Sequence, residues 1–341
     1  MKVLTQFAIL FACITPILTQ SLTLAEDSGA HLSVQEIRSV LNSIPPYLPE
    51  GEVSTEIDIF GSTSMDALAH GWTHGFKKFH PKSTVVISAE GSETVFDRLS
   101  RNPSSLGMLS RPVSEAELEK LKQSGLKQPV AIMVAREGLG VFVHESNPIE
   151  SISPAQFAAL FSVADPTQKS EPVTWQAAGV TNDLAESPVE VIARKASSGT
   201  QTFLRNYLLP KRTIRTPKAA YASNAEVIEK LESEKNGVAI CSLKCGSHSL
   251  RLVELRSGHA TIPCDDHAVL MGRYPLTRPM TLVLDIGQDS EQAKATREFV
   301  RYTLHQAGQS QDILAGFFPF DPPTLLAQLA KLNPATTATE K

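Results

Sequence analysis

Ile57-Asp58-Ile59-Phe60-Gly61-Ser62-Thr63-Ser64 is the stretch from which the fold is read. Its first four residues have the composition of a strand, a Gly/Ser/Thr cluster follows, and a helix is expected over about 65–79. The same design returns at 84–88, where a strand leads through Glu90-Gly91-Ser92-Glu93-Thr94 into a helix over 93–100. It returns again at 189–192, where a strand runs into Arg194-Lys-Ala-Ser-Ser-Gly-Thr-Gln-Thr-Phe203 and a third helix. Working outward, 237–242 and 280–284 read as strands and 225–234 and 291–306 as helices. Ser153 caps a short helix at 154–161, and Ser33-Val-Gln-Glu36 opens another with a capping box. The apolar run 130–143 contains Gly138 and Gly140, so it is expected to bend or to cross between lobes. Strands alternating with helices in this way make parallel sheets covered by helices, an α/β fold.

The chain of 341 residues, with 22 prolines spread along it, exceeds one comfortable core, so two lobes are expected. Residues 1–25 carry one charge, Lys2, then an apolar run and Thr23-Leu24-Ala25, the order of a signal peptide. The run is too short and interrupted for a membrane span. Leu10-Phe11-Ala12-Cys13 loosely resembles a lipobox, which keeps a lipoprotein as a second form of the exported protein. Without the signal, 31 basic residues face 36 acidic ones, a formal charge of −5. That balance offers no basic patch for nucleic acid. Residues 334–341 read as a flexible tail.

The three strand–cluster–helix junctions carry the chemistry. Helix N-termini present unpaired backbone N–H groups and a partial positive charge, glycine admits an anion to the backbone, and hydroxyls add donors. Any one such cluster is an ordinary helix cap; three together make a cage for a tetrahedral oxyanion. Arg194, four residues before Ser198, and Arg111, after Ser110, supply guanidinium forks suited to a pair of oxyanion oxygens.

Arg194-x-x-x-Ser198-Gly199-Thr200 resembles the R-x-x-x-S-G-T element of the periplasmic phosphate-binding proteins of ABC uptake systems, the PstS family. Gly61-Ser-Thr-Ser64, Gly91-Ser92, Gly107-Met-Leu-Ser-Arg-Pro112 and Tyr274-Pro-Leu-Thr-Arg-Pro279 stand in that family's order. Ala307-Gly-Gln-Ser-Gln-Asp-Ile-Leu-Ala-Gly-Phe-Phe-Pro319 resembles its C-terminal stretch. The resemblance implies two doubly wound lobes joined by two crossovers, near 137–140 and 273–275, with the ligand buried between them. Lobe I would then comprise 53–138 and 275–333, lobe II 139–274, and 26–52 an N-terminal helix and loop. It further implies that Thr63, Ser64, the N–H of Met65, Ser92, Ser110, Arg111, Arg194, Ser198, Gly199 and Thr200 hold phosphate in a periplasmic monomer serving ABC transporter membrane subunits, with no cofactor. One departure stands out. Familiar members place an aspartate where this chain reads Ser110-Arg111, and a site of donors alone loses one means of rejecting fully ionised sulfate. Glu90 and Glu93, flanking the second cluster, could supply an acceptor, but they are expected to be solvated or to favour the helix N-terminus electrostatically.

Other readings are weaker. No Gly-x-Ser-x-Gly elbow, Ser-x-x-Lys set or Gly-x-x-x-x-Gly-Lys-Ser/Thr loop appears, so a hydrolase has little to stand on. A sensor or adhesion component on the same fold stays open, because fold does not fix function. His70 and His74 share a helix face, with His80 beyond, but no nearby carboxylate or cysteine completes a metal set, and a polar exposed face is expected. Cys241, Cys245, Cys264 and His267 can be drawn as a zinc site. In an exported protein a disulfide is favoured, and since Cys241 falls on an apolar strand the expected pair is Cys245 with Cys264.

Overall fold

The structure, a computed structural model, describes residues 31–163 and 172–333; the expected signal peptide, Cys13 and the 334–341 tail lie outside them. Thr84–Ser88, Glu56–Gly61 and Leu106–Leu109 lie side by side in parallel, joined through the helices Asp66–Phe76 and Val95–Arg101. Parallel neighbours require such crossovers, and burial on both faces explains why Leu106–Leu109 is wholly apolar or glycine. Thr277–Asp285 continues the sheet antiparallel to Leu106–Leu109, and the long strand Pro129–His144 comes next.

That long strand belongs to both halves of the molecule. From Pro129 to Gly138 it pairs with Thr277–Asp285; from Leu139 to Val143 it pairs with Gly237–Ser242. Glu190–Arg194 and Ala220–Tyr221 then extend the second half in parallel. The handover falls between adjacent residues, Gly138 opposite Thr277 and Leu139 opposite Ser242, and the Leu139 N–H donates to Leu276 O. Gly138 is required there by crowding, because a Cβ would sit 2.4 Å from Leu243 Cδ1 and 2.7 Å from Val269 Cγ2. The two chain passages between the lobes thus run as paired strands, and the glycine serves close packing of the lobe II turn onto the crossover.

Each half has its own core. Ile57, Ile59, Leu68, Trp72, Phe76, Met108, Ile132, Leu282 and Phe299 form one; Val141, Ile152, Phe161, Trp175, Val238, Ile240 and Tyr274 form the other. The N-terminal segment ties them. Ile37 and Leu41 of the helix Val34–Asn42 pack into the second core, whereas Ile44, Tyr47 and Val53 pack into the first. The capping boxes of Ser33 with Glu36 and Ser153 with Gln156 both form. The helix expected over 291–306 is instead two, Glu291–Thr303 and Gln306–Leu314. His305 takes extended backbone as the cap of the second helix, and Gly308 lets that helix turn back against Tyr302 and Thr303.

The expected Cys245–Cys264 disulfide is not formed; Cys241, Cys245 and Cys264 are all free. The reason is strand parity. Cys241 lies with Phe142, Ile192 and Ala239 on one face of the lobe II sheet, and Cys245 packs there. Cys264 packs with Val141, Val238 and Ile240 on the other face, its Sγ 3.1 Å from Tyr274 Oη. Alternate residues of a strand face opposite ways, so the sheet itself separates the two sulfurs.

Candidate functional site

The lobe I half of the site is built at the C-terminal ends of its three parallel strands. Glu56–Gly61 ends in Ser62 and a 3₁₀ turn, Thr63–Met65; Thr84–Ser88 leads to a second, Ser92–Thr94; Leu106–Leu109 ends at Ser110. Because the strands are adjacent, their ends converge. Gly91 N–H donates to Gly61 O at 2.7 Å, Ser62 Oγ donates to Ser110 Oγ at 2.9 Å, and Ser62, Ser92 and Ser110 are all buried. Met65 sits differently from its neighbours: its N–H is spent on Ser62 O and its side chain lies in the core.

Lobe II brings Arg194 from the end of Glu190–Arg194 and Ser198 as cap of the helix Gly199–Phe203, its Oγ accepting from Gln201 N. Arg194 donates to Asn224 Oδ1 at 2.7 Å and Ala222 O at 2.6 Å within its own lobe, and to Thr63 Oγ1 of the other lobe at 2.9 Å. Its Nε is buried with no acceptor among the described residues. Burial pulls this guanidinium below its ordinary value, the mark of a cation deprived of water. Gly199 stands where the lobes touch: a Cβ there would fall 2.0 Å from Ser110 Oγ and 3.1 Å from Ser92 Oγ. The N–H groups of Thr63, Gly199 and Thr200 find no protein acceptor among the described residues, as expected for first helical positions.

The structure adds two residues that the sequence reading did not single out. Arg278, fully buried on the crossover strand Thr277–Asp285, donates to Glu137 Oε2 through Nε at 2.8 Å, to Thr200 Oγ1 at 3.2 Å and to Ser64 Oγ at 3.4 Å. It therefore touches one hydroxyl from each lobe. Glu137 reaches it from the other crossover strand, where Arg278 and Glu137 are register partners. The sequence signal for Arg278 is the phrase Tyr274-Pro-Leu-Thr-Arg-Pro279, which stands in the family's order and carries an arginine at the start of a strand.

Not every expected residue joins this cluster. Arg111 is buried, but its guanidinium bonds Glu117 at 2.7 and 3.1 Å and Pro112 O at 2.9 Å, inside lobe I. Ser110 and Arg111 thus part company: alternate residues point to opposite sides of the chain, and only Ser110 meets the other lobe. Glu90 is exposed and paired with Arg98, and Glu93 is exposed. His80 is a core residue. Val53 N–H donates to its Nδ1 at 3.2 Å and its Nε2 lies 2.7 Å from Tyr47 Oη, while His70 is exposed beside Asp66. Among the described residues no three His, Cys, Asp or Glu side chains are grouped to hold a metal.

What remains is a largely buried, donor-rich junction. Arg194 and Arg278 carry two positive charges against the single carboxylate of Glu137, so the cluster has one unit of positive charge to spare. Hydroxyls of Thr63, Ser64, Ser62, Ser92, Ser110, Ser198 and Thr200 surround it, and among the described residues Arg194 Nε and the N–H groups of Thr63, Gly199 and Thr200 are without an acceptor. Buried donors want acceptors, so the arrangement suits a small multivalent anion. A groove of about 1080 Å³ lies elsewhere, at the opposite end of Glu56–Gly61, between residues 50–55 and the helices Glu291–Thr303 and Pro322–Ala330. It takes no part in this cluster.

Comparison with known proteins agrees with the fold. The family model of the PBP superfamily domain matches residues 49–306. The chain is 27% identical over 288 residues to the phosphate-binding protein PstS of Pseudomonas aeruginosa, covering 82% of this chain and 89% of that one. An ABC-type phosphate transport receptor from Vibrio cholerae superposes with a TM-score of 0.62 at 19% identity, over 77% of this chain and 99% of its own. A Clostridium perfringens protein assigned as a phosphate ABC transporter substrate-binding protein, solved with phosphate bound, gives a TM-score of 0.62 at 20% identity, over 78% of this chain and all of its own.

Proposed function

This chain belongs to the PBP superfamily, and from that premise we propose that it captures inorganic phosphate between its two lobes. The observation that carries the reading is the buried excess of one guanidinium charge at the lobe junction, with Arg194 Nε lacking an acceptor among the described residues. The relatives named above add weight to phosphate over other oxyanions. Binding without turnover is the proposed role, with Thr63, Ser64, Ser92, Ser110, Arg194, Ser198, Gly199, Thr200 and Arg278 enclosing the anion. Delivery to ABC transporter membrane subunits and residence in the periplasm, after export by the segment at 1–25, belong to the same proposal. Among the described residues no helix is long and apolar enough to cross a membrane.

Neither lobe alone surrounds an anion, since the donors are divided between them. The anion favours the closed arrangement by its differential affinity, with the crossover strands absorbing the motion. Calorimetric titration with phosphate should give saturable one-to-one binding. Solution scattering should show a smaller radius of gyration with phosphate, and thermal stability should rise with its concentration. If another oxyanion produces these changes and phosphate does not, the binding role stands and phosphate is wrong. If no anion produces them, the receptor reading fails.

A further inference from the structure

We infer that Tyr207 is a further positioning residue for anion capture, a clasp that holds lobe II against lobe I beyond the anion cluster and slows release; this rests on the phosphate-binding reading above. Among the described residues the side-chain hydrogen bonds between the two lobes fall in three places. Beside the crossover strands, Arg136 donates to Leu270 O at 3.0 Å and Lys244 donates to Ala315 O. Within the cluster, Arg194 donates to Thr63 and Arg278 to Thr200. The third place holds a single bond, from Tyr207 Oη of lobe II to Pro112 O of lobe I at 3.3 Å. It lies past Ser110 in one segment and past Gly199 in the other, and Tyr207 is 39% exposed where Ser110 and Gly199 are buried. This bond therefore stands at the solvent edge of the junction.

Local structure aims the side chain across the junction. The helix Gly199–Phe203 continues into a π-helical turn, Leu204–Leu208, closed by Leu209 N–H donating to Leu204 O at 2.8 Å. Such a wide turn re-aims the residues it carries and recurs at functional sites. The Tyr207 ring stacks on Phe203 of its own lobe, with centroids 5.5 Å apart and planes at 25°. The ring therefore travels with lobe II, and its hydroxyl reaches lobe I. Burial raises that hydroxyl above the ordinary tyrosine value, with Arg111 acting the other way, so it is a protonated donor at neutral pH. Pro112 O also accepts from Arg111 Nη1 at 2.9 Å. That second donor belongs to lobe I and is present whether the lobes are open or closed, so it fixes the carbonyl without favouring either state. The bonds beside the crossover strands sit at the pivot and change little as the lobes part. The Tyr207 bond lies away from the pivot and is lost on opening, so its whole free energy favours the closed, anion-holding state.

The test compares the full chain with Tyr207→Phe, which keeps the ring on Phe203 and removes the donor. Calorimetric titration should show phosphate bound about threefold to fivefold more weakly, the scale of one partly exposed neutral hydrogen bond, while the thermal midpoint without phosphate stays unchanged. In stopped-flow displacement the loss should appear as faster release with an unaltered association rate, because the clasp forms after the anion has entered. Equal affinities overturn the inference and leave phosphate capture intact. So does a lower midpoint without phosphate, which makes Tyr207 an ordinary packing residue, and so does a loss carried by the association rate. The unaltered protein supplies a second readout that no variant's folding can disturb. N-acetylimidazole transfers its acetyl group to a tyrosine oxygen, the hydroxyl proton leaving with the released imidazole. Peptide mapping should show Tyr207 acetylated several times more slowly with saturating phosphate, and an equal rate with and without phosphate overturns the inference. Failure of the unaltered protein to bind phosphate in calorimetry defeats the phosphate reading and the clasp together.

Discussion

Among the described residues two buried arginines, Arg111 and Arg278, are each paired with a glutamate, and the two pairs do different work. Arg111 and Glu117 are six residues apart, on one lobe, and Glu117 also closes the capping box of Glu115–Gln123 through Ser114. Arg278 and Glu137 are 141 residues apart, on the two crossover strands, and Arg278 also touches Ser64 and Thr200 from opposite lobes. The first pair is complete in itself: the guanidinium has its carboxylate and a carbonyl, and lies 5.7 Å from the centre of the Phe96 ring. The second is embedded where another cation, Arg194, leaves the local charge unbalanced. Burial of an arginine beside a glutamate therefore does not mark a site. Convergence of donors from two lobes on unbalanced charge does.

The sharpest way to break this contrast is to truncate an arginine on each side of it. Arg194→Ala should weaken phosphate binding by about 2 to 4 kcal/mol, the scale for losing a buried charged partner. Unchanged affinity in calorimetry would remove Arg194 from the site. The next largest effect is expected from Gly199→Ala. Its methyl group meets Ser110 Oγ across the lobe junction, so closure should cost about 1 to 3 kcal/mol, read as lost affinity. Alanine suits a helix better than glycine does, so the thermal midpoint without ligand should hold or rise; a lower midpoint with unchanged affinity would mean that the contact is not formed on binding.

Arg111→Ala should do the reverse, lowering stability by about 1 to 3 kcal/mol while moving phosphate affinity by less than about 0.5 kcal/mol. A loss of affinity comparable to that of Arg194→Ala would erase the distinction between the two regions. The smallest effect concerns acid. Burial pushes the Glu117 carboxyl up, but Arg111 and Ser114 outweigh it and hold it below the ordinary glutamate value. The stability this adds is present above the unfolded glutamate value and is lost as pH falls through the folded one. Urea midpoints of the unaltered protein and Arg111→Ala should therefore differ most near neutrality and approach each other in acid; a gap that is constant with pH would show that Arg111 acts through packing.

Much of this was legible before the structure. The three strand–cluster–helix junctions were visible because strand composition, glycine and helix-capping hydroxyls are local signals, and the capping boxes at Ser33 and Ser153 formed for the same reason. The crossover at Gly138 announced itself as glycine in an apolar run. Arg278 and Glu137 escaped notice because an arginine before a proline and a glutamate beside a glycine carry no local mark. Arg111 attracted attention through its position after an apolar stretch, which Arg194 shares; what distinguishes them is Glu117, one helical turn into the next element.

The sequence by itself determined the α/β class and the kind of chemistry at the junctions, because each follows from interactions between residues near in the chain, and its length called for two cores. Tertiary structure decided which of those junctions meet, which arginine is spare, and which sulfurs share a face. Those outcomes depend on sheet order and strand parity. Cys245 and Cys264 are near in sequence and lie on opposite faces of one sheet, whereas Glu137 and Arg278 are far apart in sequence and lie opposite each other in one register. Pairing across a sheet is set by burial summed over whole lobes, a quantity that no short stretch contains.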